Sequence, residues 1–182
     1  MRKYRTRIPA VFFIAVLLAG AWFFCGCYND YAGSDAVSGD EEFTVSLTVR
    51  VDTLVEDINR LDKEKRELVP PGGVIFPITD VTAYEDESVF NVLQREMRRA
   101  GIHMAFRNTP IYNSAYILAL NNIYEFDAGE LSGWIYSVNG DFPNFGSSRY
   151  TLKPGDAIEW HFTCDLGRDV GAFDVGWSQR DE

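Results

Sequence analysis

The side chains best suited to bond-making chemistry are few: two histidines, His103 and His161, and one cysteine outside the amino-terminal segment, Cys164. Neither histidine lies at a metal-ligand spacing from another ligand type. No Ser-His-Asp order, Gly-x-Ser-x-Gly elbow, zinc motif or phosphate loop occurs. Alternation in the final apolar stretch puts Ile158, Trp160, Phe162 and Cys164 on one face and Glu159, His161 and Thr163 on the other. His161 is then a solvent-side strand residue, and Cys164 a buried, inert thiol. Asp127, Glu130, Asp141 and Asp165 could be imagined around a calcium ion. They lack the alternate-position acids and central glycine of a calcium loop, so no metal site is expected. With no nucleophile–base pair, the expectation is a non-catalytic protein.

Recognition chemistry is better represented. Thr109 to Asp169 concentrates aromatic residues beside turns: Tyr112, Tyr116, Tyr124, Phe126, Trp134, Tyr136, Phe142, Phe145, Tyr150 and Trp160. Most must be core. The segment Asp141-Phe142-Pro143-Asn144-Phe145-Gly146 is different, because two phenylalanines in six loop residues either plug a sheet end or line a ligand surface. Trp134, Tyr136, Phe142, Asn144, Phe145 and Tyr150 are therefore the candidate binding residues.

Elements that must position these residues are readable from periodicity. Phe43, Val45, Leu47, Val49 and Val51 alternate with polar residues, as in a half-buried strand. Leu54 to Leu68 carries Leu54, Ile58, Leu61 and Leu68 on one helical stripe with charges elsewhere. Thr53 and Glu56 stand at a capping-box spacing, and Pro70-Pro71-Gly72-Gly73 ends the segment. Val74 to Tyr84 reads as one or two short strands. Ser88 caps a main helix running to about Ala100, closed by Gly101. A short strand is expected at His103–Phe106 and another, longer one at Tyr116–Phe126. Gly133–Val138 leads into Asn139-Gly140, the dipeptide of a type I′ turn. Lys153-Pro154-Gly155-Asp156 is a further turn before the last strand, Ala157–Cys164. This order predicts an α+β domain: a mixed sheet packed on one main helix, with an additional short charged helix.

The chain has 182 residues and a net charge of −10. Arg2, Lys3, Arg5 and Arg7 precede an apolar run from Ile8 to Phe24, so residues 1–27 read as a signal peptide or membrane anchor. Three outcomes stay open: a lipoprotein signal cut after Gly26 with Cys27 acylated, an uncleaved anchor helix, and simple secretion. Each puts the folded part outside the cytoplasm, on the extracellular side of the membrane or secreted from it. Residues 28–42, rich in Gly, Ser, Ala and Asp, read as a flexible linker. From residue 28 onward, 13 basic side chains face 27 acidic ones, a net of −14. Such a body is repelled by phosphate backbones, which excludes nucleic acid as a partner.

Taken together, Tyr112-Asn113-Ser114-Ala115-Tyr116-Ile117, Leu120 to Asp127, Ser132 to Gly140, Phe142-Pro143-Asn144, Leu152 to Asp156 and Glu159 to Gly167 resemble the transcobalamin-like C-terminal domain of bacterial surface proteins. Ser88 to Leu93 extends the likeness upstream. The resemblance covers most of residues 43–171 and leaves 172–182 as a tail. It implies a β-grasp-like sheet embracing the Ser88–Ala100 helix, similar to the small domain that closes over cobalamin in transcobalamin and intrinsic factor. It also implies a membrane-tethered binding module with cobalamin or another corrinoid as ligand and no required cofactor. The alternative reading, from the residues themselves, is a cell-surface protein–protein interaction module without a small ligand, using an exposed strand edge or the Phe142/Phe145 patch. Cysteines often present in the family are replaced here by Ala128 and Ser147, so a loop-tying disulfide is missing.

Overall fold

A computed structural model of the chain describes residues 41–109 and 114–172. The segment read as a signal or anchor, Cys27, nearly all of the stretch read as a linker, Tyr112 and Trp177 lie outside the described residues. All described residues belong to the second of two compact units, Val37–Glu182. The elements in chain order are β1 (Glu42–Arg50), α1 (Asp52–Glu56), β2 (Val74–Tyr84), α2 (Val89–Ala100), β3 (Met104–Thr109), β4 (Ser114–Leu120), β5 (Ile123–Tyr124), β6 (Gly133–Val138) and β7 (Ala157–Thr163). The α+β class expected from the sequence is the one observed.

A four-stranded mixed sheet in the order β2-β1-β7-β6 forms the main layer, and β3-β4-β5 form a second, smaller sheet. β1 pairs in parallel with β7, while β1–β2 and β6–β7 are antiparallel. The alternation in β1 buries Val45, Leu47 and Val49. Thr48, on the polar side, is buried too, and its hydroxyl donates to the Phe76 carbonyl at 2.8 Å. Val89, Val92, Leu93 and Met97 form the buried stripe of α2 and join Ile158, Phe162 and Leu120 in one core. Ser88 caps this helix, its Oγ accepting from the Asn91 N–H at 3.2 Å. Gly101 closes it at φ 68°, a left-handed position that a glycine adopts without strain.

Three local expectations change. The stripe from Leu54 to Leu68 is not one helix but α1 followed by 3₁₀ turns at Ile58–Arg60 and Lys63–Leu68. Thr53 does not cap: its hydroxyl donates instead to the Phe162 carbonyl at 2.6 Å. Asp57 leaves helical geometry at φ −142° and caps the next turn, accepting from the Asn59 N–H. Secondly, Tyr116–Phe126 is not a single strand. Asn121 and Asn122 take φ of 51° and 61°, reversing the chain so that β5 pairs back on β4. Thirdly, the sheet is divided: β3–β5 do not join the main ladder.

Candidate functional site

β6 has the sequence Gly-Trp-Ile-Tyr-Ser-Val, whose alternation directs Trp134, Tyr136 and Val138 into the core, where all three are buried. Trp134 donates its indole N–H to the Ile123 carbonyl at 2.9 Å and meets Phe162 edge-on. The turn expected at Asn139-Gly140 is present, with φ of 55° and 84°. It does not launch a second strand. Asp141 bridges back to Val138 once, and the chain then departs as the loop 142–150.

That loop splits its aromatics between two faces. Phe142 packs on the His161 ring at 5.7 Å, on the side of the sheet opposite the core. Phe145 turns the other way and stacks on Tyr150 at 6.0 Å with 16° between planes. Tyr136 lies beneath, tilted against Trp160 at 5.4 Å and edge-on to Tyr150 at 6.3 Å. Its hydroxyl donates to the Phe145 carbonyl at 2.9 Å, fixing the loop to β6. Ser148 Oγ accepts from the Ala115 N–H at 3.0 Å, fixing it to β4. Gly146 passes so close to β4 that a Cβ there would sit 1.5 Å from Ser114 Oγ. These contacts tie the loop to both β6 and β4.

Between β4, β6 and this loop lies a cleft of about 370 Å³. Its walls are Ser114–Ile117 on one side, Trp134–Tyr136 on the other, and Pro143–Ser147 with Arg149 at the loop end; Trp160 and Thr109 also line it. The volume is near the lower end of the roughly 300–1,000 Å³ typical of small-molecule sites. Trp160 is 3% exposed. Its Nε1 is the buried side-chain nitrogen or oxygen without a hydrogen-bond partner among the described residues. Tyr116 lines the rim, half-exposed, with its hydroxyl donating to Glu125 Oε2 at 2.7 Å and Arg107 5.2 Å over its ring. Burial and the Glu125 carboxylate push its phenol up to about 12. Desolvation raises the Tyr136 phenol as well. Both remain neutral hydrogen-bonding groups at physiological pH.

Of the six residues singled out from sequence, Trp134, Tyr136, Asn144 and Phe145 line this cleft. Tyr150 backs the Phe145 ring without lining it. Phe142 is on the far face, because the turn after Asn139-Gly140 carries it over His161. The β4 wall, Arg149 and Trp160 were not among the six; Trp160 read simply as core.

His161 is not a solvent-side residue. Phe142 covers it, its side chain is only 16% exposed, and burial lowers its pKa against the pull of Glu159. Ser137 Oγ lies 3.4 Å from His161 Nε2, and Glu159 Oε2 lies 3.9 Å from that same nitrogen. Two partners on one nitrogen do not make a relay, and Ser137 is 1% exposed. Cys164 is buried and free, with its thiol raised by desolvation. Asp127 is held by Lys65 at 2.6 Å and Asp165 by Arg168 at 2.7 Å. Among the described residues no three or more His, Cys, Asp or Glu side chains come together as a metal site would require.

Residues 86–164 match the model of a family described as a domain of unknown function, DUF4430. No curated protein matches the chain. Among solved structures, haptocorrin in complex with Cbi aligns with a TM-score of 0.51 at 13% identity, over 69% of this chain. The chain spans only 26% of haptocorrin's length. A Ruminococcus gnavus ATCC 29149 protein to which metal binding has been ascribed aligns with a TM-score of 0.42 at 13% identity. That alignment covers 66% of this chain and 96% of the other. The chain thus shares an α+β fold with the portion of haptocorrin it covers, and its segment 86–164 carries the DUF4430 pattern.

Proposed function

We propose that the protein is a non-catalytic binding module, tethered to the extracellular side of the membrane by its amino-terminal segment, whose cleft mouth receives a corrinoid-type small ligand. The observation that carries this reading is the aromatic-walled cleft between β4, β6 and the 142–150 loop. Phe145, 41% exposed and stacked on Tyr150, offers a flat apolar platform at that mouth. A planar macrocycle gains most from such a surface, through area burial and offset stacking. The fold shared with haptocorrin, a protein solved with Cbi (cobinamide) bound, supports the ligand class. The chain covers about a quarter of that protein, so affinity from this domain alone should be modest.

Titration of the full chain in detergent micelles with dicyanocobinamide and cyanocobalamin tests the reading. A shift in the corrin visible bands with a Kd below ~100 μM is expected, equivalent to about −5.5 kcal/mol. Phe145→Ala should weaken it about tenfold, the scale of one lost aromatic contact. No spectral shift and no heat at that concentration would remove the corrinoid. Intact mass of membrane-extracted protein tests the tether: loss of residues 1–26 with a lipid on Cys27, or retention of the whole segment, supports it. A soluble, unlipidated product would refute it.

A further inference from the structure

The two outer strands of the main sheet are treated differently by the sequence. β2, at one edge, carries Pro77 and Asp80, and its register with β1 is interrupted twice between Leu47 and Arg50. Proline, charge and irregular register are the usual means of preventing an edge from pairing with another chain. β6, at the other edge, has none of them in Gly-Trp-Ile-Tyr-Ser-Val.

The free edge of β6 also faces the cleft. Asn139 donates its N–H to the Ala157 carbonyl at 2.9 Å, so position 139 belongs to a hydrogen-bonded pair with β7. Antiparallel alternation then assigns 137, 135 and 133 to the β7 ladder and directs the backbone of 138, 136 and 134 outward. Val138 spends its outward N–H and C=O on Asp141. The N–H and C=O groups of Trp134 and Tyr136 have no partner among the described residues, and both residues line the cleft. On the opposite wall the Ala115 N–H is already taken by Ser148 Oγ, which leaves β6 as the edge on offer. Two further groups in the lining await partners. Trp160 Nε1 is buried without an acceptor, and the exposed Arg149 guanidinium has no ion pair or hydrogen bond among the described residues.

We propose that the β6 edge in this cleft takes an extended polypeptide strand from a partner protein, one that carries a carboxylate to pair with Arg149. Two free N–H/C=O sets two residues apart are the spacing an antiparallel or parallel strand presents, about 6.6–6.8 Å. Main-chain bonding supplies affinity with little demand on sequence. A side-chain oxygen of the inserted strand supplies the acceptor that Trp160 lacks, and the carboxylate fixes register through a charge-assisted bond. This goes beyond the small-ligand reading: a corrinoid at the mouth uses the Phe145 platform, whereas a strand uses the backbone of β6.

The probe is the acetylated heptapeptide Thr-Val-Thr-Val-Thr-Val-Asp with a free carboxyl terminus, added to the full chain in detergent micelles and followed by amide hydrogen exchange and calorimetry. Binding with a Kd below ~1 mM is expected. Exchange of the Trp134 and Tyr136 amides should slow on addition, while amides in β2 stay unchanged. N-methylation of alternate peptide amides should weaken binding at least tenfold, since it removes the main-chain donors. Arg149→Ala should weaken it about tenfold, and Trp160→Phe about fivefold, as expected for one charge-assisted and one neutral bond. Asp→Asn with a free terminus, compared with Asp carrying a terminal amide, distinguishes a side-chain from a terminal carboxylate. Unchanged Trp134 and Tyr136 exchange at ~1 mM peptide, or equal binding of the N-methylated peptide, overturns the proposal. Cobinamide binding without peptide binding overturns this inference and leaves the small-ligand reading standing. Peptide binding without cobinamide binding does the reverse.

Discussion

Gly146→Ala isolates the contact that sets the width of the cleft. Gly146 has φ −68° and ψ 148°, a conformation open to any residue, so the substitution introduces no backbone strain. It should in fact stiffen the unfolded chain by about 0.4–1 kcal/mol in favour of folding. The obstacle is space. The new Cβ would lie 1.5 Å from Ser114 Oγ, 2.6 Å from Ser114 Cβ and 3.8 Å from Ser114 Cα. Rotation of Ser114 can move its hydroxyl but not its Cβ. Overpacking of this kind costs about 1–3 kcal/mol, leaving a net loss of about 1–2 kcal/mol after the unfolded-state gain.

The partner substitutions sharpen the test. Ser114→Gly removes both clashing atoms and leaves Cα at ordinary contact distance, at a cost of about 0.5–1 kcal/mol for glycine in a strand. The hydroxyl's bonds to the Ala115 carbonyl and Ser148 Oγ, both 3.4 Å, add little. The double variant Ser114→Gly/Gly146→Ala should therefore be about 0.4–1 kcal/mol more stable than Ser114→Gly alone, a favourable coupling of about 1–3 kcal/mol. Ser114→Ala/Gly146→Ala keeps the 2.6 Å conflict and should show no such recovery. Urea unfolding of the four variants, with probe binding measured beside it, decides the matter. Equal rescue by alanine and glycine at position 114, or Gly146→Ala at wild-type stability with an unaltered cleft, would refute the steric argument.

Three other perturbations test the frame around the site. Arg95 bridges Glu87 and Glu96, whose side chains are 2% and 5% exposed, and also donates to the Thr82 carbonyl. Arg95→Met should cost about 3 kcal/mol, the low end of the range for orphaning a buried charge because Arg95 itself is 30% exposed. Glu87, already raised by desolvation, is raised further without its partner, so the deficit should shrink as pH falls from 7 towards the ordinary carboxylate range; a deficit that grows would contradict this. Burial depresses the His161 pKa below its ordinary 6.5, so the unfolded chain binds that proton more tightly. Stability is complete above 6.5 and declines as pH falls through the folded value. His161→Gln should flatten that part of the urea-midpoint profile, and an unchanged slope would assign it to other groups. Tyr136→Phe removes only the hydroxyl bond to the Phe145 carbonyl. A loss of about 1 kcal/mol with faster exchange in the 142–149 loop is expected.

Much of the frame was legible because its determinants are local. Ser88 and Gly101 announce their helix by cap chemistry that involves only their own neighbours, and both caps are present. Asn139-Gly140 specified its turn in the same way, yet Asn121-Asn122, which reverses the chain by the same left-handed geometry, lay unnoticed inside an apparent strand. The helix expected over Leu54–Leu68 shows the limit of local rules. Thr53 could cap it, but its hydroxyl is better used by a carbonyl 109 residues away. The binding wall divides along the same line. Trp134, Tyr136, Asn144 and Phe145 are close in sequence and were found as a cluster. Ser114–Ile117 faces them only through tertiary packing, and neither periodicity nor composition encodes that approach.

The free edge of β6 follows from how its turn is used. A type I′ turn at Asn139-Gly140 ordinarily returns a second strand alongside the first, which would satisfy Trp134 and Tyr136 from within. Here Pro143 lacks the N–H that a returning ladder needs, and after one bridge at Asp141 the chain leaves the edge. It then anchors on β4 through Ser148 and passes Gly146 over Ser114. The loop thus holds the two sheets apart at one end while leaving the β6 backbone unpaired between them. A substitution that let residues 143–146 pair with β6 would fill the cleft and satisfy its edge at once. Pro143→Thr, which restores the missing donor, should therefore lower affinity for any occupant of the cleft while leaving stability unchanged or higher. Weaker binding accompanied by slowed Tyr136 amide exchange would identify self-pairing as the cause, whereas unchanged binding would show that Pro143 does not keep this edge open.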